Sequence, residues 1–140
     1  MSQIIRIMLV EDDQSRVEWF RAWLPKDIRL IHARTGGLAL GILERDCRVI
    51  AGIMLDHDLQ QQAMLPSDVN LSGSTVVRAI LQKVSPEVPI LIHSMNPGRA
   101  DTMKTALEKS GFSVTRLPMG DMSRDAFLEW LKEVRESVES

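Results

Sequence analysis

The chain has 140 residues, of which 44% are hydrophobic and 26% charged, with a formal net charge of −2 and one cysteine, Cys47. These values fit one soluble domain over residues 1–140 that buries a single core without covalent staples. They exclude a broad nucleic-acid-binding surface, a disulfide framework and a thiolate zinc site within one chain; no apolar stretch approaches a membrane span, so a cytoplasmic location is expected.

Ile4 to Val10, IIRIMLV, is short, apolar and rich in β-branched residues, which predicts a buried strand. Val17, Phe20 and Leu24 then fall on one face of a helix over Gln14 to Leu24, with Asp13 as its N-cap and Pro25 after its end. Ile28 to Ala33 reads as a second strand, and Leu38 to Leu43 as a short helix entered through Thr35-Gly36-Gly37. Val49 to Leu55 is apolar throughout, as expected of a strand covered on both faces.

Gln60 to Leu71 has no clean period and contains a proline, so a long loop is expected there. Ser72-Gly73-Ser74 opens a helix with Val77, Ile80, Leu81 and Val84 as its buried stripe. Val88 to His93 is a fourth strand. Asn96-Pro97 starts a helix that runs to Ser110 and is ended by Gly111. Phe112 to Leu117 is the fifth strand, and Ser123 caps a last helix carrying Phe127, Leu131, Val134 and Val138. Trp19, Trp23 and Trp130 read as packing or interface residues on these helices.

Alternating strands and helices predict an α/β fold with a five-stranded parallel sheet and helices on both faces. Ligands of such sheets bind beyond the carboxyl ends of the strands. The residues there are Glu11, Asp12 and Asp13; Asp56, His57 and Asp58; His93, Ser94, Met95 and Asn96; and Arg116, Leu117 and Pro118. Closely spaced carboxylates repel one another and call for a cation, and oxygen-rich sites favour a hard metal such as magnesium.

These strand-end residues resemble the receiver domain of two-component response regulators, a (βα)5 flavodoxin-like fold. In that family an acidic pair after strand one holds magnesium together with an aspartate after strand three that accepts a phosphoryl group. LVEDD supplies Glu11 and Asp12, IMLD supplies Asp56, and PILIHS supplies Ser94 at the serine or threonine position of strand four. The lysine that precedes a proline after strand five is Leu117 here, and Arg116 is turned to the opposite face by strand alternation. His57 and Asp58 follow Asp56, and His93 occupies a usually apolar position. LDHDL, Leu55 to Leu59, and HSMN, His93 to Asn96, are similar to a divergent branch, the cyclic-phosphate-processing receiver family. That resemblance implies action on cyclic nucleotides or on cyclic phosphate ends of RNA.

Such chemistry requires a base for water, an acid for the leaving oxygen and positive charge at the phosphoryl oxygens. The expected assignments are Asp56, His57 and His93 as catalytic residues and Glu11, Asp12, Asp56 and Asp58 as ligands of Mg2+ or Mn2+. Ser94, Asn96 and Arg99, with the amides of the following helix, suit the phosphate. Each has a structural alternative: His93 as a core histidine, His57 as an ion-paired turn residue, Asp58 in an Asx-turn, Arg116 as a solvated strand residue, and Ser94-Met95-Asn96 as a helix start. Three functions compete: a metal-dependent cyclic phosphodiesterase-like enzyme, a phosphoacceptor signalling through Asp56, and a pseudo-receiver that only binds a protein partner or a second copy of itself.

Overall fold

The computed structural model describes residues 4–56 and 73–139. Strands β1 (Ile5–Val10), β2 (Ile28–Ala33), β3 (Ile50–Leu55), β4 (Ile90–Ile92) and β5 (Val114–Arg116) form one sheet, paired in parallel in the order β2-β1-β3-β4-β5. The described helices are α1 (Gln14–Trp23), α2 (Gly36–Asp46), α3 (Gly73–Lys83), α4 (Pro97–Lys109) and α5 (Arg124–Glu139), with a 3-10 turn at Met119–Asp121.

Alternation along the strands divides the core into two halves. Met8, Val10, Ile53, Leu55, Ile90 and Ile92 face one way, onto apolar residues of α2, α3 and α4. Ile7, Leu9, Met54 and Leu91 face the other, onto Val17 and Phe20 of α1 and Phe127, Trp130, Leu131 and Val134 of α5. With both faces covered, Ile7 to Val10 are fully buried, which accounts for the unbroken apolar run. At Gly52 in β3, a Cβ would lie 3.0 Å from Val134 and 3.1 Å from Trp130, so the missing side chain is what lets α5 approach the sheet.

Local signals mark the helix boundaries. Asp13 caps α1 by accepting from the Ser15 and Arg16 amides, Asn96 caps α4 by accepting from the Arg99 amide with Pro97 in the first turn, and Gly111 follows α4 at φ +94. Thr35 starts α2 at Gly36, ahead of Leu38, because its hydroxyl accepts from the Leu38 amide. Leu38 is therefore on the outer face, and Ala39, Ile42 and Leu43 are buried. In α3 the buried stripe includes Val76, Val77 and Ile80, with Val84 just beyond the helix, whereas Leu81 is exposed: the core face is centred one residue earlier than its spacing predicts. Strands β4 and β5 are shorter than their apolar runs, with register pairs at Ile90–Ile92 and Val114–Arg116. The expected loop over residues 60–71, with His57 and Asp58, lies outside the described residues.

Candidate functional site

Three adjacent strands, β1, β3 and β4, each continue one residue past their ends in sheet register. The Glu11 amide donates to the Ala33 carbonyl, the Asp56 amide to Val10, and the His93 amide to Leu55. The register pairs Leu9 with Met54 and Met54 with Leu91. Two residues further on, the same row runs through Glu11, Asp56 and His93, on the face covered by α1 and α5. Leu91 pairs with Thr115, so the row ends at Leu117, which packs in the apolar half-core below α5.

Glu11, Asp56 and His93 are buried, with relative exposures of 0%, 1% and 0%. Each offers a ligand atom, and these atoms lie within 4.8 Å of one another. His93 Nε2 donates to Glu11 Oε1 at 3.0 Å, and its ring meets Phe20 edge-on with centroids 5.6 Å apart. Its Nδ1 is buried without a hydrogen-bond partner among the described residues. Glu11 Oε2 accepts from the amides of Asp12 at 3.0 Å and Asp13 at 3.2 Å. His32, half-buried at the end of β2, donates from Nε2 to the Glu11 carbonyl oxygen at 2.7 Å.

Burial by itself pushes the Glu11 carboxyl up, but the His93 bond and charge, helped by Asp56 and the Asp13 amide, outweigh it and bring the group from 4.5 down to about 2. Asp12 moves the opposite way, from 3.8 up to about 6, because it is partly buried and sits beside the ionised Glu11. These opposed shifts make opposite contributions to the pH dependence of the metal-free protein. Glu11 contributes stability above about 4.5 that is lost as pH falls towards 2, whereas Asp12 costs stability above about 6 and relieves that cost as pH falls towards 3.8. Urea midpoints are therefore expected to pass a maximum at about pH 4–5. Asp12→Asn should abolish the rise from pH 7 into that window; a variant that keeps the same rise would dismiss Asp12 as its source.

The structure thus brings Glu11, Asp56 and His93 together and leaves Asp12 beside the cluster rather than in it. Ser94 is fully buried, and its hydroxyl accepts from the Asn96 amide at 3.1 Å. The Asn96 side chain is used by the helix cap, and Arg99 lies exposed in the first turn of α4. Arg116 departs from the expected solvated residue: it is half-buried and donates from Nη2 to the Ser94 carbonyl at 2.5 Å. It does face away from the site row, since it pairs with Ile92 of the opposite half-core. His57 and Asp58 lie outside the described residues.

One contributor was not singled out from sequence. Arg16, in the first turn of α1, brings Nη1 to 3.5 Å from Glu11 Oε1 and 3.6 Å from Asp56 Oδ2. The available signal is its position: the helix after β1 opens on the same sheet edge, so a cation one turn past three acids reaches them.

Comparison with known proteins agrees with this geometry. A sequence model of the cyclic-phosphate processing receiver domain matches residues 6–109, more than half of the chain. No curated protein matches the sequence. Among solved structures, the chain is similar to a CheY-like response regulator receiver domain protein from Methanospirillum hungatei JF-1, with a TM-score of 0.73, 16% identity and 98% of each chain covered. It is also similar to the signal receiver domain of an HD domain-containing protein from Pseudomonas fluorescens Pf-5, with a TM-score of 0.72, 16% identity, and 99% of this chain and 100% of that one covered. A third is the receiver domain of a sensor histidine kinase from Pseudomonas aeruginosa PAO1 with a magnesium ion coordinated in its active site cleft: TM-score 0.66, 21% identity, 98% of this chain and 99% of that one covered. At these identities the likeness establishes the receiver fold.

Proposed function

We propose a function from one premise: the chain belongs to the cyclic-phosphate processing receiver family. The function is metal-assisted hydrolysis of a small cyclic phosphate, either a cyclic nucleotide or the cyclic phosphate end of an RNA. The observation that carries it is the buried trio Glu11, Asp56 and His93, two carboxylates and an imidazole with ligand atoms within 4.8 Å at the carboxyl edge of a parallel sheet.

The residues present suit a divalent cation. Two buried carboxylates need neutralising charge, and the orphaned Nδ1 of His93 is a buried polar atom without a partner among the described residues. Glu11, Asp56 and His93 would hold the ion, and an imidazole in the set favours manganese over magnesium, whose preferred ligands are oxygens. Once bound, the ion supplies positive charge opposite the phosphoryl oxygens, the role left open by Leu117.

The chain's own residues supply the rest. In the reaction, water adds to phosphorus, one ring P–O bond breaks, and the proton lost by water ends on the departing alkoxide, giving a phosphate monoester. His93 is fully buried and donates from Nε2 to Glu11, so it acts by orienting that carboxylate. Proton transfer is assigned to His57, between Asp56 and Asp58 in the chain. Arg99, exposed in the first turn of α4, binds the phosphate. The direct test is incubation of metal-free protein with 2′,3′-cyclic nucleotides or cyclic-phosphate-ended RNA, with and without manganese or magnesium. Turnover restored by metal and abolished by chelation is expected; no turnover under any of these conditions rejects the enzyme.

A second role, phosphoacceptor signalling through Asp56, draws support from the receiver fold and from the position of Asp56 directly after β3. It lacks the cationic side chain at the end of the site row, where Leu117 is packed among apolar residues. Treatment with acetyl phosphate is therefore expected to give no stable phosphoryl adduct by intact mass. An adduct lost in Asp56→Asn would favour signalling.

A further inference from the structure

We infer that Arg16 is a built-in cation that competes with a divalent metal for Glu11 and Asp56. This inference rests on the metal-site proposal above. Glu11 and Asp56 are buried carboxyl groups at the ends of adjacent strands, and an ionised carboxylate in such a place requires a counter-charge. Arg16 supplies one: a single nitrogen, Nη1, stands 3.5 Å from Glu11 Oε1 and 3.6 Å from Asp56 Oδ2. It thereby lies against both of the carboxyl groups that would hold a metal.

The geometry of that contact is loose. Both separations exceed the roughly 2.7–3.2 Å of a good N–H···O bond, so the guanidinium is held there by charge rather than by directional bonds. A small divalent ion approaches carboxylate oxygens to about 2.0–2.1 Å and carries twice the charge, so it outcompetes the guanidinium on both counts. Arg16 also has somewhere to go. Its side chain is 26% exposed, and its Nε already lies 3.9 Å from Asp13 Oδ2, on a residue at the rim with 47% exposure. A short side-chain movement exchanges the buried pair for the solvated one without unwinding α1. The metal-free protein thus keeps its acidic cluster neutralised, at the cost of weaker metal binding.

The test is manganese titration by calorimetry, with thermal unfolding of the metal-free proteins, on wild type, Arg16→Ala and Arg16→Gln. Removing the competitor is expected to tighten manganese binding roughly tenfold in both variants. It should also lower the Tm of the metal-free variants and leave them with a larger metal-induced rise in Tm than wild type. Circular dichroism establishes that the variants are folded, and Arg16→Lys, which keeps the charge, should stay nearer to wild type than either neutral variant. If wild type binds manganese and the neutral variants bind equally or more weakly, competition is overturned while the metal site stands. If none of the proteins binds manganese, the metal site itself fails, and the competition with it.

Discussion

Replacing Glu11 by alanine is expected to lower the unfolding free energy of the metal-free protein by about 3–5 kcal/mol at pH 7, the usual cost of removing one partner of a buried ion pair. Domains of this size are stable by only about 5–15 kcal/mol, so the variant should sit close to its folding limit. Glu11 accepts from the His93 ring, from the Asp12 and Asp13 amides, and lies beside Arg16. Alanine leaves these donors facing a cavity. The opposing effect is relief of the cost of burying a charge at Glu11. The direction of the Glu11 shift decides between them: a carboxyl held at about 2 instead of 4.5 is favoured in its charged form. Glu11→Gln keeps the volume and one acceptor and should cost less than alanine. Urea denaturation at pH 7 is the measurement, and a Glu11→Ala loss below about 1 kcal/mol would mean that the buried cluster is not held together by charge.

The second large effect is on turnover of a cyclic phosphate. His57→Ala should reduce it by about 10²–10⁴-fold at saturating manganese, the range of a lost general acid or base, with little change in metal affinity or Tm. Asp56→Asn should lose activity to a similar degree, with metal affinity falling in parallel, because Asp56 belongs to the buried trio. His93→Ala differs from both: it removes the ring that donates to Glu11 and packs on Phe20, so stability and metal affinity fall before the chemical step is reached. The three variants therefore separate proton transfer from metal retention. If His57→Ala turned over at the wild-type rate, proton transfer would have to be assigned elsewhere.

Much of this arrangement is legible in the chain itself. Apolar runs of strand length, with Asp13, Asn96 and Gly111 at helix boundaries, predict alternating strands and helices. In the structure these become one parallel sheet with a helix-covered core on each side. The rule that ligands sit beyond strand ends placed Glu11, Asp56 and His93 among the candidates, together with Asp12, His57 and Asp58. Local signals erred where the outcome depended on a neighbour. Leu81 has helical spacing but lies outside the strip that the sheet covers, and Arg116 looks like a solvated strand residue but reaches the Ser94 carbonyl.

By itself, then, the sequence determined the elements, the fold class and the strand ends that carry the chemistry, because these follow from periodicity, caps and composition within a few residues. Tertiary structure alone decided which strand-end residues share one row. Parallel register aligns Glu11, Asp56, His93 and Leu117, and leaves Asp12 beside the cluster. It also decided that Arg16 meets both buried carboxylates, since α1 must first fold back over the sheet. Register and helix docking are set by contacts between residues far apart in the chain, and no local pattern encodes them.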